Sequence, residues 1–166
     1  MLSKNIKFKN FNYKFSNKKI KKDLQKLLSE GNEVIKSLKP NYRYQYSKKL
    51  IDKNKKEKIL KIIGMGGSIL GTKAIHDFLK YKIKKKVIFY DNLESNLKIN
   101  NKSTNLIVSK SGNTLETIVN ANIIIQKNQK NIFITESQNS YLRSLALKIK
   151  AEIIDHNNFI GGRYSV

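Results

Sequence analysis

The chain has no cysteine, a single proline and little acid: 12 Asp and Glu stand against 34 Lys and Arg, giving +22 over 166 residues. Without cysteine there is no disulfide, no thiolate nucleophile and no thiolate-held metal. No run of 18 or more apolar residues occurs, so no membrane span is expected. The opening Met1-Leu2-Ser3-Lys4 lacks the apolar core of a secretory signal, and a cytoplasmic protein is the expectation. The pattern G-x-x-x-x-G-K-[ST] is also missing, which argues against a nucleoside triphosphatase.

What is present is globular. Hydrophobic residues make up 39% of the chain, enough for one core and an N-terminal appendage. The positive charge is almost all lysine, with Arg43, Arg143 and Arg163 the only arginines. Asn and Ile abound beside it, the trio that AT-rich codons supply. The excess therefore reads as genome composition rather than a patterned nucleic-acid surface. It is skewed, with residues 1–60 holding 18 basic and 5 acidic side chains. A basic N-terminal module stays open on that ground.

Residues 1–15 alternate loosely through Ile6, Phe8, Phe11, Tyr13 and Phe15. Ser16 is placed to cap a helix over 17–38 with an apolar face of Ile20, Leu24, Leu27, Leu28, Ile35 and Leu38, which Gly31-Asn32 can split. Pro40 ends it, because the residue before proline avoids helical geometry. A Tyr-rich helical piece over 42–55 and a charged linker at 53–58 complete a mostly helical extension, residues 1–57.

From residue 58 the pattern becomes strand, turn, helix. Strands are expected at 59–63, 86–90, 105–108, 132–135 and 152–154, with helices at 69–81, 115–126 and 140–148. A polar, partly helical stretch is expected after Asn92. Short apolar strands alternating with helices indicate an α/β fold, a parallel five-stranded sheet flanked by helices. Ligands in such sheets sit beyond the carboxyl ends of the strands, where the strand order switches.

Two turns lie at such ends. In Gly64-Met65-Gly66-Gly67-Ser68-Ile69-Leu70-Gly71 the glycines allow close backbone approach to a small polar ligand, and Ser68 can orient it. Read by itself, the segment serves equally as a tight turn with no ligand. In Ser109-Lys110-Ser111-Gly112-Asn113-Thr114-Leu115-Glu116-Thr117, three hydroxyls and free N–H groups converge on the positive end of a helix dipole, a setting for a phosphate. A structural turn would need the glycine and one capping hydroxyl at most. The third stretch is Gly161-Gly162-Arg163-Tyr164-Ser165, where a planar, permanently charged guanidinium suits a developing oxyanion.

In this order G-M-G-G-S-I-L-G, S-K-S-G-N-T-L-E-T and G-G-R-Y-S resemble the glucose-6-phosphate isomerase family, clearly over residues 60–166. S-x-S-G-x-T alone would indicate only the wider sugar-isomerase (SIS) superfamily. The resemblance implies a SIS-type, flavodoxin-like three-layer sandwich over residues 58–166. It implies interconversion of glucose and fructose 6-phosphates through a cis-enediol, as in glycolysis and gluconeogenesis, with no cofactor and no metal.

Position by position, the resemblance makes Ser109, Ser111, Thr114 and the Lys110 N–H a phosphate cradle. Thr117 matches a nearby binding position, Gly67 and Ser68 a substrate-contacting turn, and Arg163 the catalytic arginine that stabilises the enediolate. Many members carry Thr-Phe-Thr where this chain has Ser111-Gly112-Asn113, which removes one hydroxyl. The family's base and ring-opening histidine have no counterpart here. Glu136, Glu116, His76 and His156 do not match them, so a truncated chain, inactive alone, is expected. The resemblance further implies a homodimer for the full-length family, a hexose 6-phosphate as ligand, and neither membrane nor nucleic acid as partner. Two other readings remain. One is a sugar-phosphate-binding SIS-domain regulator with a basic N-terminal module. The other is a dinucleotide-binding oxidoreductase resting on Gly64, Gly66 and Asp91, although Ile69 stands where the third glycine of that fingerprint belongs.

Overall fold

Parallel strands covered on both faces must be apolar along their length, and five such runs form one sheet in the computed structural model. The structure describes residues 18–93, 102–126 and 129–161. The expected lead-in at 1–15, the Ser16 cap and most of the stretch after Asn92 lie outside these residues. The chain divides into two compact units, Met1–Lys39 and Pro40–Val166. Sequence pattern places the change at 57/58.

In the first unit, helix α1 (Lys18–Ser29) and the short α2 (Glu33–Ser37) replace one long helix. The break falls at the glycine–asparagine pair. Asn32 starts α2 by accepting the Ile35 N–H at 2.9 Å, which meets one of the donors a helix start leaves unpaired.

In the second unit the Tyr-rich segment becomes helical later than its pattern suggests. Helix α3 (Lys48–Asn54) begins only where the Ser47 hydroxyl accepts the Leu50 N–H. Ahead of it Tyr42, Tyr44 and Tyr46 pair their rings at 5.4 Å instead. Then come β1 (Ile59–Ile63), α4 (Gly67–Leu79), β2 (Lys86–Tyr90), β3 (Thr104–Val108), α5 (Leu115–Ile124), β4 (Lys130–Thr135), α6 (Tyr141–Lys148) and β5 (Glu152–Asp155). All pairings are parallel and the order is β2-β1-β3-β4-β5.

The side-chain period of two sorts each strand onto two faces. Ile63, Tyr90, Ile107 and Phe133 meet Ala121 and Ile124 of α5 and Leu142 and Ala146 of α6. Ile62 and Val108 meet Ile69 of α4 on the other face. That makes three layers.

Buried polar residues interrupt the apolar runs, among them Lys61, Thr104 and Asn105. Lys61, in the middle of β1, has no exposed surface, and its Nζ finds no hydrogen-bond partner among the described residues. Burial alone pushes its pKa below the usual lysine value. Its register neighbour is Asn105, also fully buried. Asn105 donates to Gln129 and Asn131 at 2.7 and 2.8 Å, while its own Oδ1 has no donor among the described residues. Among the described residues, no helix is long and apolar enough to cross a membrane.

Candidate functional site

The strand order reverses between β1 and β3, since β2 lies to one side of β1 and β3, β4 and β5 to the other. The turns leaving β1 and β3 are the two that the sequence singles out. They stand side by side at the switch point, where open parallel sheets take ligands.

The first turn is pinned from below. Gly64 donates its N–H to the Tyr90 carbonyl at 3.2 Å. A Cβ at Gly64 would lie 3.0 Å from the Val108 carbonyl oxygen, so glycine is what lets the end of β1 approach the end of β3. Helix α4 starts two residues earlier than its apolar pattern suggests, which places Gly67 and Ser68 in its first turn. No side chain caps this end. Within that turn the Ser68 N–H goes to the Met65 carbonyl, and the Ile69 and Leu70 N–H groups go to the Gly66 carbonyl, each at 3.1 Å.

The second turn is built more tightly. Ser109 is buried, takes the Ile134 carbonyl with its N–H at 3.0 Å, and sets its hydroxyl 3.2 Å from that of Thr114. Thr114 is the N-cap of α5 but makes no side-chain cap bond, so the first amides of α5 stay uncapped by a side chain. Ser111 is exposed on the rim, and its oxygen accepts the Asn113 N–H at 3.3 Å. Gly112 sits at φ +66°, and a Cβ there would lie 2.1 Å from the Ser140 hydroxyl and 2.9 Å from that of Thr135. The floor of the turn is therefore the loop between β4 and α6.

Asn113, at the position where the chain departs from the family pattern, accepts the Tyr141 N–H at 2.9 Å. It thereby satisfies the first amide of α6. Its partner is 28 residues away, and no local signal could have revealed it. Leu142 adds a backbone bond to the Gly112 carbonyl at 3.0 Å.

The side chain of Lys110 turns away from the hydroxyls. Its Nζ lies 3.0 Å from Glu136 Oε1 and 2.9 Å from the Asn158 carbonyl oxygen. Thr117 lies on the buried face of α5 at 1% exposure, its hydroxyl without a partner among the described residues, rather than presented on the rim. Glu116 lies in the first turn of α5, where a carboxylate favours the helix dipole. His156 follows β5 and is buried. Burial lowers its pKa, and Lys110 acts in the same sense. An Asn157 backbone hydrogen bond and Glu136 oppose them. His76 packs edge-on against Phe89 at 5.4 Å. Arg163 and Gly162 lie outside the described residues.

Asp91, the acid on which the dinucleotide reading rests, is held by Lys73 at 2.5 Å. Among the described residues, no group of three or more His, Asp or Glu could hold a metal. A hollow of about 600 Å³, lined by Asn122, Gln126, Asn131 and Leu145 among others, lies at the amino ends of the strands. Its lining includes no residue of either turn.

The family model described as phosphoglucose isomerase matches residues 12–166. A curated glucose-6-phosphate isomerase of Methanocaldococcus jannaschii is 35% identical over 119 residues, covering 63% of this chain and 29% of that protein. The chain spans about 30% of the length of the curated relatives it matches. Among solved structures, a hypothetical protein of Thermus thermophilus superposes with a TM-score of 0.63 at 22% identity, over 70% of this chain and 32% of that one. The Vibrio vulnificus NanR protein complexed with ManNAc-6P gives 0.50 at 19% identity, over 71% and 44%. At these identities the structural likeness speaks for the fold alone.

Proposed function

The chain belongs to the phosphoglucose isomerase family, and from that premise we propose that it holds the substrate's phosphate for aldose–ketose isomerisation of glucose 6-phosphate and fructose 6-phosphate. The observation that carries this reading is the turn after β3. It offers paired hydroxyls of Ser109 and Thr114 and an α5 N-terminus with no side-chain cap, at the switch point of the sheet. The Lys110 N–H and the exposed Ser111 hydroxyl complete the cradle. Gly67 and Ser68, across the switch point, would meet the sugar. Thr117 would support the cradle from the buried face of α5.

In the reaction a base takes the proton from C2 of the aldose, an enediolate forms, and the proton returns at C1. Arg163 would stabilise the oxyanion. Of the carboxylates near the strand ends, Asp91 is paired with Lys73 and Asp155 with Arg143. Glu136 is engaged by Lys110, and Glu116 belongs to the first turn of α5. The 166-residue chain alone is accordingly expected to bind without turnover. In this reading residues 58–166 are the SIS portion and 1–57 the extension. A homodimer and a cytoplasmic setting follow the family.

Titration calorimetry with glucose 6-phosphate tests the assignment. Ser109→Ala with Thr114→Ala should weaken binding by about tenfold or more, the scale of losing hydrogen bonds to a charged group. Unchanged affinity would remove the cradle, and clear conversion of fructose 6-phosphate by the 166-residue chain would remove the claim of binding without turnover. The basic N-terminal excess keeps a sugar-phosphate-responsive regulator as the second reading. Salt-dependent, sequence-selective DNA binding by the full chain, lost on neutralising lysines within 18–58, would favour it.

A further inference from the structure

Lys110 does two things that point in opposite directions. Its backbone belongs to the cradle turn, between Ser109 and Ser111. Its side chain reaches over the ends of β4 and β5, with Nζ 3.0 Å from Glu136 Oε1 and 2.9 Å from the Asn158 carbonyl. The pair is not a surface ornament. The Lys110 side chain is 26% exposed and that of Glu136 only 12%, so solvent screens them weakly.

The backbone here is knitted to the same place. The Lys110 carbonyl accepts the Glu136 N–H at 3.0 Å and the Thr135 hydroxyl at 3.3 Å. The Thr135 carbonyl accepts the His156 N–H at 2.8 Å. Beyond His156 the chain folds on itself. Asn157 accepts the Phe159 N–H at 2.9 Å through its side chain and the Ile160 N–H at 3.1 Å through its carbonyl, and Ile160 is buried. Residues 156–161 form a small ordered knot, held on one side by β4 and on the other by the Lys110 ammonium. This is the segment that leads to Arg163.

We infer that Lys110 is a positioning residue that couples the cradle turn to residues 156–161. An anion drawing the amides of the turn toward itself shifts the Lys110 backbone, and the ammonium transmits the shift to the Asn158 carbonyl. Glu136 fixes the direction in which the ammonium points. Lysine suits the task because its ammonium can serve a carboxylate and a carbonyl at once. Coupling of this kind is a free energy shared between two sites, so it can be read at either one. The inference rests on the cradle reading above for the identity of the anion.

The test is amide hydrogen exchange on the full 166-residue chain, with and without glucose 6-phosphate, beside titration calorimetry. In the wild type, ligand should slow exchange at least about threefold in both 109–118 and 156–161. Lys110→Met removes the ammonium and keeps the backbone N–H, and it is compared with the wild type at glucose 6-phosphate concentrations that saturate each protein. Protection at 156–161 should be lost. Lys110→Arg, which keeps a cation of similar reach, should restore it. Purely structural support would not make protection at 156–161 depend on ligand and on this cation together. Should Lys110→Met fail to fold, Glu136→Gln gives the second reading, with protection at 156–161 reduced. Binding that leaves 156–161 unaltered in the wild type overturns the coupling, as does full transmission in Lys110→Met. Absence of binding in the wild type sinks the cradle reading and the coupling with it.

Discussion

Replacing Lys61 by methionine should stabilise the protein. The lysine has no exposed surface and its Nζ has no partner among the described residues, so an ammonium there loses its hydration without compensation. Methionine keeps an unbranched chain of similar reach and removes the polar end, which leaves the contacts of the stem in place. A buried charge without its partner costs about 3–5 kcal/mol, so relief of about 3 kcal/mol is expected once partial neutralisation is allowed for. In a chain of this size that corresponds to a rise in Tm of about 6–12 °C.

The pH dependence carries the sharper signature. Burial sets the folded pKa of Lys61 below the unfolded value of 10.5. Between those two values the unfolded chain binds more protons than the folded one, so stability rises with pH across the window. It is complete above 10.5 and lost as pH falls toward the lowered folded value. Lys61→Met has no such group, and its advantage should shrink as pH climbs toward 10.5. Urea unfolding of both proteins from pH 7 to 10.5 measures this. A variant less stable than the wild type at pH 7, or an advantage that does not change with pH, would refute the reasoning.

Two further expectations concern the site. Gly112→Ala puts a Cβ 2.1 Å from the Ser140 hydroxyl at φ +66°, and should cost at least about 2 kcal/mol by thermal denaturation. Adding Ser140→Gly should recover part of that loss by clearing the space. His156, whose pKa is lowered chiefly by burial, leaves the folded state binding fewer protons than the unfolded one below 6.5. Its contribution to stability is full above 6.5 and falls away as pH drops toward the folded value, with Lys110 and Glu136 the charged groups beside it. Urea midpoints between pH 5 and 8 should show this slope, and His156→Asn should flatten it.

The sheet was legible because parallel strands must be apolar on both faces, and runs such as Ile59–Ile63 and Lys86–Tyr90 can be read directly. The split of the N-terminal helix was legible too, since Asn32 is a good cap and sits beside a glycine. The start of α3 was not. Tyrosines at 42, 44 and 46 fit a helix by composition, but Ser47 supplies the cap that decides where the helix begins. Within the site, the hydroxyls and the glycine stood out because their spacing is local. The cap from Asn113 to Tyr141 and the reach of Lys110 to Asn158 were invisible because the partners are far apart in sequence and meet only through sheet order. Asn113 looked like a lost hydroxyl, yet it gains a structural partner. Lys61 was hidden by its own ordinariness, one lysine among many in a lysine-rich chain.

The way Gly112 rests on Ser140 and Thr135 bears on how portable the turn is. Written out, residues 109–117 look like a cassette that could be moved to another strand–helix junction to confer anion binding. The underside of that cassette belongs to a different loop, which Asn113 also stitches to α6. A graft of the nonapeptide alone would carry the hydroxyls and leave behind the surface that shapes them. The smallest transferable unit is the strand–turn–helix together with the next one, and substitutions at 112 and 140 should drift together as lineages diverge.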